Sequence, residues 1–513
     1  MRKPRLLLPC IALAVVLRLA VAVEIDPKLY LEDVKVLSSE KYKGRRSGTK
    51  ELDQAAQFIA GQFRAMGLRP AGDGGYFQRF RVTTDAEAGR SNSLSYAIGR
   101  VVTRLKFDQD FCPLALSSNG RASGQVVFAG YGITAPEYGY DDYANIDVRG
   151  KVVLVLAHEP QEYDDSSVFG GKVYTDHAQV QVKALNAKLH GASAIILTDD
   201  APNHRDNTER LEKLGRAVGP DGAGIPFLQL RFDEAEKWLE SAGQSVGSEI
   251  QAIDKDLRPQ SFALPPSLSV NLSVDIKTET RPVFNVLAYL PGATDEYVIL
   301  GAHYDHVGLG EQYSMEPRKA GTIHPGADDN ASGTSGVLEL ARWFSRHKDH
   351  RRGVLFITFG GEEFGLLGSN YYVGHAELPL SKAVAMINLD MIGRVRDGRV
   401  FVGGVNTGSG LKALVEELDA QAPAKFDLED TDSGGYGSSD HYSFTPKEIP
   451  FLFFFSGLHP DYHTPSDTWD RIDAPQASRL LELIGRVMER LLDAPDRPVF
   501  LKRLPPNAGG GGN

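Results

Sequence analysis

Tyr297-Val298-Ile299-Leu300-Gly301-Ala302-His303-Tyr304-Asp305 reads as a buried strand that runs into polar chemistry. The apolar run Tyr297–Leu300 is too short for a helix and carries β-branched residues, which suits a strand covered on both faces. Its polar residues come only at the exit. On an extended segment, residues i and i+2 share a face. Asp305 can therefore stand behind His303 and accept its second ring N–H, the partner that a metal-bound imidazole usually has. Taken alone, an H-x-D pair occurs by chance and fits a surface histidine better than a ligand.

Outward from this strand the same pattern recurs. Asn285–Leu290, Gly353–Phe359, Ala383–Leu389, Gly398–Val405 and Ile449–Phe455 read as strands, and Ser332–Arg346, Leu411–Ala420 and Gln476–Leu492 as helices among them. The alternation predicts an α/β fold: a mixed, mostly parallel sheet with helices on both faces. Upstream, Ile25–Leu68 has helical periodicity, with Ala55, Ala56, Ile59 and Phe63 on one face and Gly67 at its end. Gly72–Gly75 reads as a turn and Tyr76–Val82 alternates like a strand. A different block lies between. It holds strand-like Gln125–Ala129, Lys151–Leu156, Ala192–Leu197 and Ile225–Leu230, with helix-like Ala178–His190, and Pro265-Pro266 marks its exit. The reading is of a discontinuous domain, residues 23–92 and 272–497, interrupted by a smaller α/β insertion at 93–271. Residues 498–513 form a Pro/Gly-rich tail expected to be disordered.

Composition narrows the function. The chain has 513 residues and a formal net charge of −11. That balance disfavours nucleic acid, which calls for a basic face. Two cysteines exclude a disulfide scaffold and a Cys-based zinc site. Met1–Ala22 has a basic head (Arg2, Lys3, Arg5), an apolar stretch and a small-residue end at Ala20-Val21-Ala22. It reads as a secretory signal peptide, with an uncleaved anchor as the alternative, and predicts a secreted, periplasmic or extracellular protein. No later apolar run has the length to span a bilayer, so stable membrane insertion after cleavage is not expected.

Four further segments carry chemistry, most at strand ends where α/β sheets place their ligands. Gly326-Ala327-Asp328-Asp329-Asn330-Ala331-Ser332-Gly333 puts more acidic and amide groups before a helix than one N-cap requires. A carboxylate there could bridge two cations. Gly360-Gly361-Glu362-Glu363-Phe364-Gly365 sends two adjacent carboxylates out of a buried strand, where they are costly unless paired or metal-bound. Asn388-Leu389-Asp390-Met391 and His463-Thr464-Pro465-Ser466-Asp467-Thr468 complete the set. Each is modest alone, since strand-end caps and Pro turns look alike. Together, two imidazoles and three carboxylates supply what two closely spaced divalent ions need, and N and O donors without sulfur suit zinc, with Mn²⁺ or Co²⁺ as substitutes.

The ordered motifs GAHYDH, GADDNASG, GGEEFGLLGS, NLDMIG and HTPSDT resemble the M28 zinc peptidases, over about Phe284 to Leu492. The resemblance implies two Zn²⁺ per chain. His303 and Asp390 would hold one, Glu363 and His463 the other, and Asp329 would bridge them. Glu362 would be the general base for a metal-activated water, and Asp305 would orient His303. It also implies a cis peptide at Asp329–Asn330. Met391, Tyr436 and Asp440 resemble substrate-binding positions. The block Ser93–Asn271 resembles a protease-associated (PA) domain, through Val127–Gly132, Asp141-Asp142-Tyr143 and Gly150–Leu154. The implied activity is exopeptidase hydrolysis of peptide substrates, foremost as an aminopeptidase. A carboxypeptidase or dipeptidase on the same site, a glutaminyl cyclase and a non-catalytic receptor on this scaffold are the alternatives. Arg394 keeps the carboxypeptidase option open. Oligomeric state is not readable.

Overall fold

The computed structural model describes residues 22–501, apart from 136–137, 165–166, 170, 172–174, 204–210, 213, 216–218, 220–221 and 431–438. Residues 1–21, the tail from 502 and Tyr436 therefore lie outside the described residues. Eight strands carry the main architecture: β1 (Phe77–Ala88), β2 (Ile276–Leu290), β3 (Tyr297–His303), β4 (Gly353–Phe359), β5 (Ala383–Leu389), β6 (Arg399–Gly403), β7 (Asp427–Asp430) and β8 (Phe451–Phe455). Across the sheet run Arg69–Pro70, β2, β4, β3, β5, β8, β6 and β7, and β1 also pairs with β2. β3 is parallel to both β4 and β5, and β5 to β8. The β2–β4 and β6–β8 pairs are antiparallel, and β6–β7 is parallel. The sheet is thus mixed, with its parallel strands grouped at the centre.

The continuous apolar runs follow from cover on both faces. Val298, Leu300 and Ala302 of β3 enter one core, while Tyr297 and Ile299 enter another. Val354 and Phe356 against Leu355, Ile357 and Phe359 repeat the division on β4. The first face is covered by α1 (Pro27–Leu37), α2 (Lys50–Ala65), α3 (Gly333–Arg346), α5 (Leu411–Ala420) and α6 (Ala474–Asp493). The second is covered by α4 (Leu367–Gly374) and the turn Asp440–Lys447, through Tyr372 and Phe444.

The region with continuous helical periodicity is two helices. Asp26 caps α1, its side chain accepting from Lys28 N, and Thr49 caps α2, accepting from Leu52 N. Between them Lys43, Gly44, Arg45 and Gly48 have positive φ. This break turns the Arg45 side chain inward. Leu367–Gly374, short and without an apolar face at helical spacing, is a helix that the sequence pattern does not reveal.

β1 and β2 form a long antiparallel ribbon, from Phe77 opposite Val286 to Ala88 opposite Ile276, with a bulge between Glu279 and Thr280. It leads out of the main sheet to the inserted block. There Val126–Phe128, Val152–Leu156, Ala194–Thr198 and Phe227–Leu230 form a parallel core, flanked by antiparallel Phe262–Ala263 and Phe111–Pro113. A second, antiparallel sheet joins Ser93–Ile98 to Leu268–Val274, the strands at which the chain enters and leaves. Its core includes Trp238, edge-on to Tyr96 at 5.5 Å. The block folds back on the main domain: Thr83 and Gly219 exchange backbone hydrogen bonds at 3.0 and 3.1 Å. Gln181 abuts Gly365, two residues past Glu363. Among the described residues no helix is long and apolar enough to cross a membrane.

The start of α3 is packed to backbone contact. Gly333 has ordinary helical angles, φ −64° and ψ −44°. A Cβ there would overlap the Leu389 carbonyl and the Asn330 amide. Helix propensity alone would make Gly333→Ala stabilising by about 1 kcal/mol. We expect the overlap to win and to cost about 1–3 kcal/mol. Urea unfolding of the full chain checks this, and a raised midpoint would contradict it.

Candidate metal centre

The chemistry gathers at the carboxyl ends of the central parallel strands. His303 ends β3, Glu362 and Glu363 leave β4, and Asp390 leaves β5. Asp329 comes from the turn Ala327–Ser332 ahead of α3, and His463 from the loop before α6. His303 Nε2 lies 3.4 Å from Asp329 Oδ1 and 3.3 Å from Asp390 Oδ1. His463 Nε2 lies 2.9 Å from both Asp329 Oδ2 and Glu363 Oε2. The two oxygens of Asp329 thus face two different donor groups. Glu362 Oε2 stands 3.7 Å from His303 Nε2.

A dense framework holds these side chains. Asn330, joined to Asp329 by a cis peptide, donates from Nδ2 to Leu389 O at 3.0 Å. Its Oδ1 accepts from Gly333 N and Met391 N at 2.8 and 3.2 Å. One amide thereby ties the Asp329 turn to the strand end that carries Asp390. Asp467 accepts from the backbone N–H of Asp328 and Asp329, at 3.0 and 3.1 Å. Asp328 faces away from Asp329: it accepts from Gly393 N at 2.7 Å and meets His459 Nε2 at 3.1 Å. Ser439 accepts from Asn388 Nδ2 at 2.9 Å and donates to Asp390 Oδ2 at 2.8 Å. His463 Nδ1 donates to Tyr313 O at 2.8 Å, which leaves the Nε2 lone pair to the site. Arg45 is fully buried and donates to the carbonyls of Leu37, Tyr304, Pro325 and Gly326 at 2.7–2.8 Å. Burial lowers its pKa to about 10, against the pull of Asp329 and Asp305.

The expected partnership of Asp305 with His303 takes another form. His303 Nδ1 meets the Asp305 backbone carbonyl at 3.3 Å, and the carboxylate is 3.8 Å away. That carboxylate is already engaged, accepting from Glu362 N and Ser47 Oγ, both at 3.1 Å. It positions the start of the Glu362-Glu363 pair as much as the imidazole. Met391 is buried with Phe401, Phe453 and Phe455, beside Tyr462. Asp440 lies fully buried behind the site, where burial raises its carboxyl to about 7 against the opposing pull of His303. Arg394 donates to Asp461 at 2.8 Å and meets His459 at 3.1 Å. Sequence reasoning missed His306. Its ring is buried between Glu363 and His463. The residue follows the H-x-D pair directly, and a strand period gives no reason to turn it toward the site.

The donor set fits divalent cations. Asp329 Oδ2, Asp390 Oδ1 and His463 Nε2 are buried and close together, yet make no hydrogen bond among the described residues. Asp329 Oδ2 and His463 Nε2 stand 2.9 Å apart, while Asp390 Oδ1 stands with Asp329 Oδ1 about His303. A tetrahedral ion with bonds of about 2.0–2.1 Å has ligands about 3.3–3.4 Å apart, which matches the spacing around His303. The electrostatics also ask for positive charge. Burial raises Glu362 well above the ordinary carboxylate range, with His303 opposing. Burial also works to raise Glu363, but His463 and His306 on either side outweigh it and hold that carboxyl well below the range.

Fold and site together define a metal-dependent hydrolase. Comparison with known proteins names its kind. Residues 285–488 match the model of peptidase family M28 and residues 122–238 that of the PA domain. Over the part that carries the site the chain is similar to peptidase family M28, and a block similar to the PA domain is set into it. Among its relatives, Aminopeptidase YwaD of Bacillus subtilis is 27% identical over 76% of this chain and 75% of its own length. A probable leucine aminopeptidase 2 of Aspergillus oryzae is 33% identical over 62% of this chain. An aminopeptidase of Pseudomonas aeruginosa is 28% identical over 54%. The chain spans about half the length of these last two, 53% and 45%. The overall fold is shared with a solved aminopeptidase from Aneurinibacillus sp. strain AM-1, at a TM-score of 0.53 and 22% identity, over 94% of this chain and 96% of that one.

Removing the hydroxyl of Ser439 would free the Asp390 carboxylate to swing. Ser439→Ala is expected to weaken metal affinity about 10–100-fold, the usual cost of losing a hydrogen bond to a ligand. Titration against a competing chelator measures it, and unchanged affinity would show that the hydroxyl plays no part in holding Asp390.

Proposed function

We propose that this protein is a secreted zinc aminopeptidase that works with two metal ions and uses Glu362 as its general base. The observation that carries the reading is Asp329, which turns one carboxylate oxygen to His303 and Asp390 and the other to Glu363 and His463. In this reading His303, Asp390 and Asp329 hold one ion, and Glu363, His463 and Asp329 the other. Bound zinc supplies Lewis acidity that lowers the pKa of water from about 15.7 to about 7 and favours negative charge on a carbonyl oxygen.

The chain's own residues do the rest. Glu362 takes the proton of the attacking water at its carboxylate and returns it to the leaving amine. Its backbone N–H is held by Asp305, so the base starts from a fixed position. Ser439 keeps one oxygen of Asp390 turned from the site and the other toward it. Met391, among Phe401, Phe453 and Phe455, supplies an apolar wall for a substrate side chain; Tyr436 is proposed to lie beside the substrate, and Asp440, fully buried, to act from behind the site.

The preference for the amino end draws on the relatives' names and on Arg394. That side chain is engaged by Asp461 and His459, so it does not stand ready to bind a C-terminal carboxylate. Secretion draws on the composition of residues 1–22, with the periplasm or the exterior as the destination.

Glu362→Gln should retain its metal ions and lose about 10²–10⁴-fold in kcat. Metal analysis alongside peptide hydrolysis tests both halves, and near-normal turnover would remove Glu362 from the proton-transfer role. Amino-end specificity is tested with paired peptides. A free-amine peptide should be cleaved and its N-acetylated counterpart left intact, whereas cleavage of both from the carboxyl end would favour the carboxypeptidase reading.

A further inference from the structure

We propose that His306 is a positioning residue that makes Glu363 a one-oxygen metal ligand and so keeps a coordination position open at that ion. The proposal rests on the two-metal reading above and assigns a role to a residue outside its ligand set.

His306 has little freedom. Its backbone N–H donates to Arg45 O at 3.2 Å, in the loop fixed by the Arg45 side chain. Its ring lies over Gly326, where a Cβ would overlap Cγ and Cδ2 of the imidazole. Gly326 has φ +58°, so a glycine is suited there by backbone as well as by space. On the other side the ring meets His463 edge to face, with centroids 5.3 Å apart.

Thus held, Nδ1 of His306 lies 2.6 Å from Glu363 Oε1 and 3.5 Å from Asp329 Oδ2. Two roles compete. Nδ1 could itself ligate an ion together with Glu363, Asp329 and His463, since these donor atoms lie within 4.8 Å of one another. It could instead donate its proton to Glu363. The distances favour donation. Two ligands of one tetrahedral ion stand about 3.3 Å apart, whereas 2.6 Å is a charge-assisted hydrogen bond. The neighbours divide in the same way. Among the described residues Asp329 Oδ2, Asp390 Oδ1 and His463 Nε2 make no hydrogen bond, while His306 makes one at Nδ1 and none at Nε2. With a carboxylate oxygen as acceptor, the ring proton must sit on Nδ1.

The consequence falls on Glu363. Its Oε1 is occupied by His306 and its Oε2 faces His463 Nε2 at 2.9 Å. A carboxylate free at both oxygens could chelate an ion through both. A carboxylate held at one oxygen presents only the other to an ion, and the position that the first would have filled is left for substrate or water.

Cobalt loading tests this without relying on turnover. The full chain stripped of metal, His306→Ala and His306→Asn are each titrated with Co²⁺, recording stoichiometry, affinity and visible absorption. The asparagine amide reaches about where the Nδ1–H lies and can donate the same bond. We expect His306→Ala to shift affinity for one of the two ions about 10–100-fold. We also expect weaker visible bands as Glu363 chelates and the coordination number rises. His306→Asn should restore both. A wild-type spectrum and affinity in His306→Ala would overturn the proposal. So would loss of one imidazole from the X-ray absorption signature in both variants without rescue by asparagine, which would make His306 a ligand. If the unmodified chain binds fewer than two Co²⁺, the two-metal reading itself fails, whatever the variants do.

Discussion

The constraint that organises this molecule is the concentration of carboxylates at the end of a buried sheet. Asp305, Asp329, Glu362, Glu363, Asp390 and Asp440 converge there with little access to water. Unpaired buried charge of this kind costs several kcal/mol per group. His303, His306 and His463 offset part of it, and the deep guanidinium of Arg45 contributes from behind. In the proposed zinc-peptidase reading, bound metal would offset the remainder and supply the chemistry. The same electrostatic demand thus accounts for the site's existence and for its function.

Such a cluster persists only if the backbone around it cannot relax. That explains why so many of the surrounding polar groups bind main chain. Arg45 donates to four carbonyls from three segments, and Asp467 accepts from two successive N–H groups. Asn330 ties the Asp329 turn to the end of β5, and Gly333 lets α3 approach that strand end to contact. The second aspartate of the pair, Asp328, serves this framework together with Gly393 and His459. The inserted PA domain touches the same region through Gln181 at Gly365, so the loop carrying the two glutamates has a neighbour from each domain.

Much of this was legible along the chain. The strands β3, β4, β5 and β8 are largely apolar because each is covered on both faces, and such runs stand out. The ligand candidates were visible because acidic and imidazole groups at the exits of those runs are costly without a purpose. Elements whose stability comes from partners were not visible. The helix Leu367–Gly374 carries a weak local pattern and is held by what it packs on, and nothing local to Ser93–Ile98 or Leu268–Val274 says that these two strands, about 170 residues apart, pair with each other. The uninterrupted helical periodicity of Ile25–Leu68 missed a break whose cause, the inward turn of Arg45, acts through loops about 260 to 280 residues further on.

The sequence by itself determined the α/β class, the inserted domain and the identities of the groups at the strand ends, because burial and charge leave their mark in local order and composition. Only the tertiary structure decided which atoms meet. It turned the two oxygens of Asp329 toward different partners, gave the Asp305 carboxylate to Glu362 and Ser47, and brought His306 onto Glu363. The reason is geometric. A strand or helix period fixes which way a side chain leaves its own segment, whereas a bond of about 3 Å between loops far apart in sequence depends on how every intervening element packs.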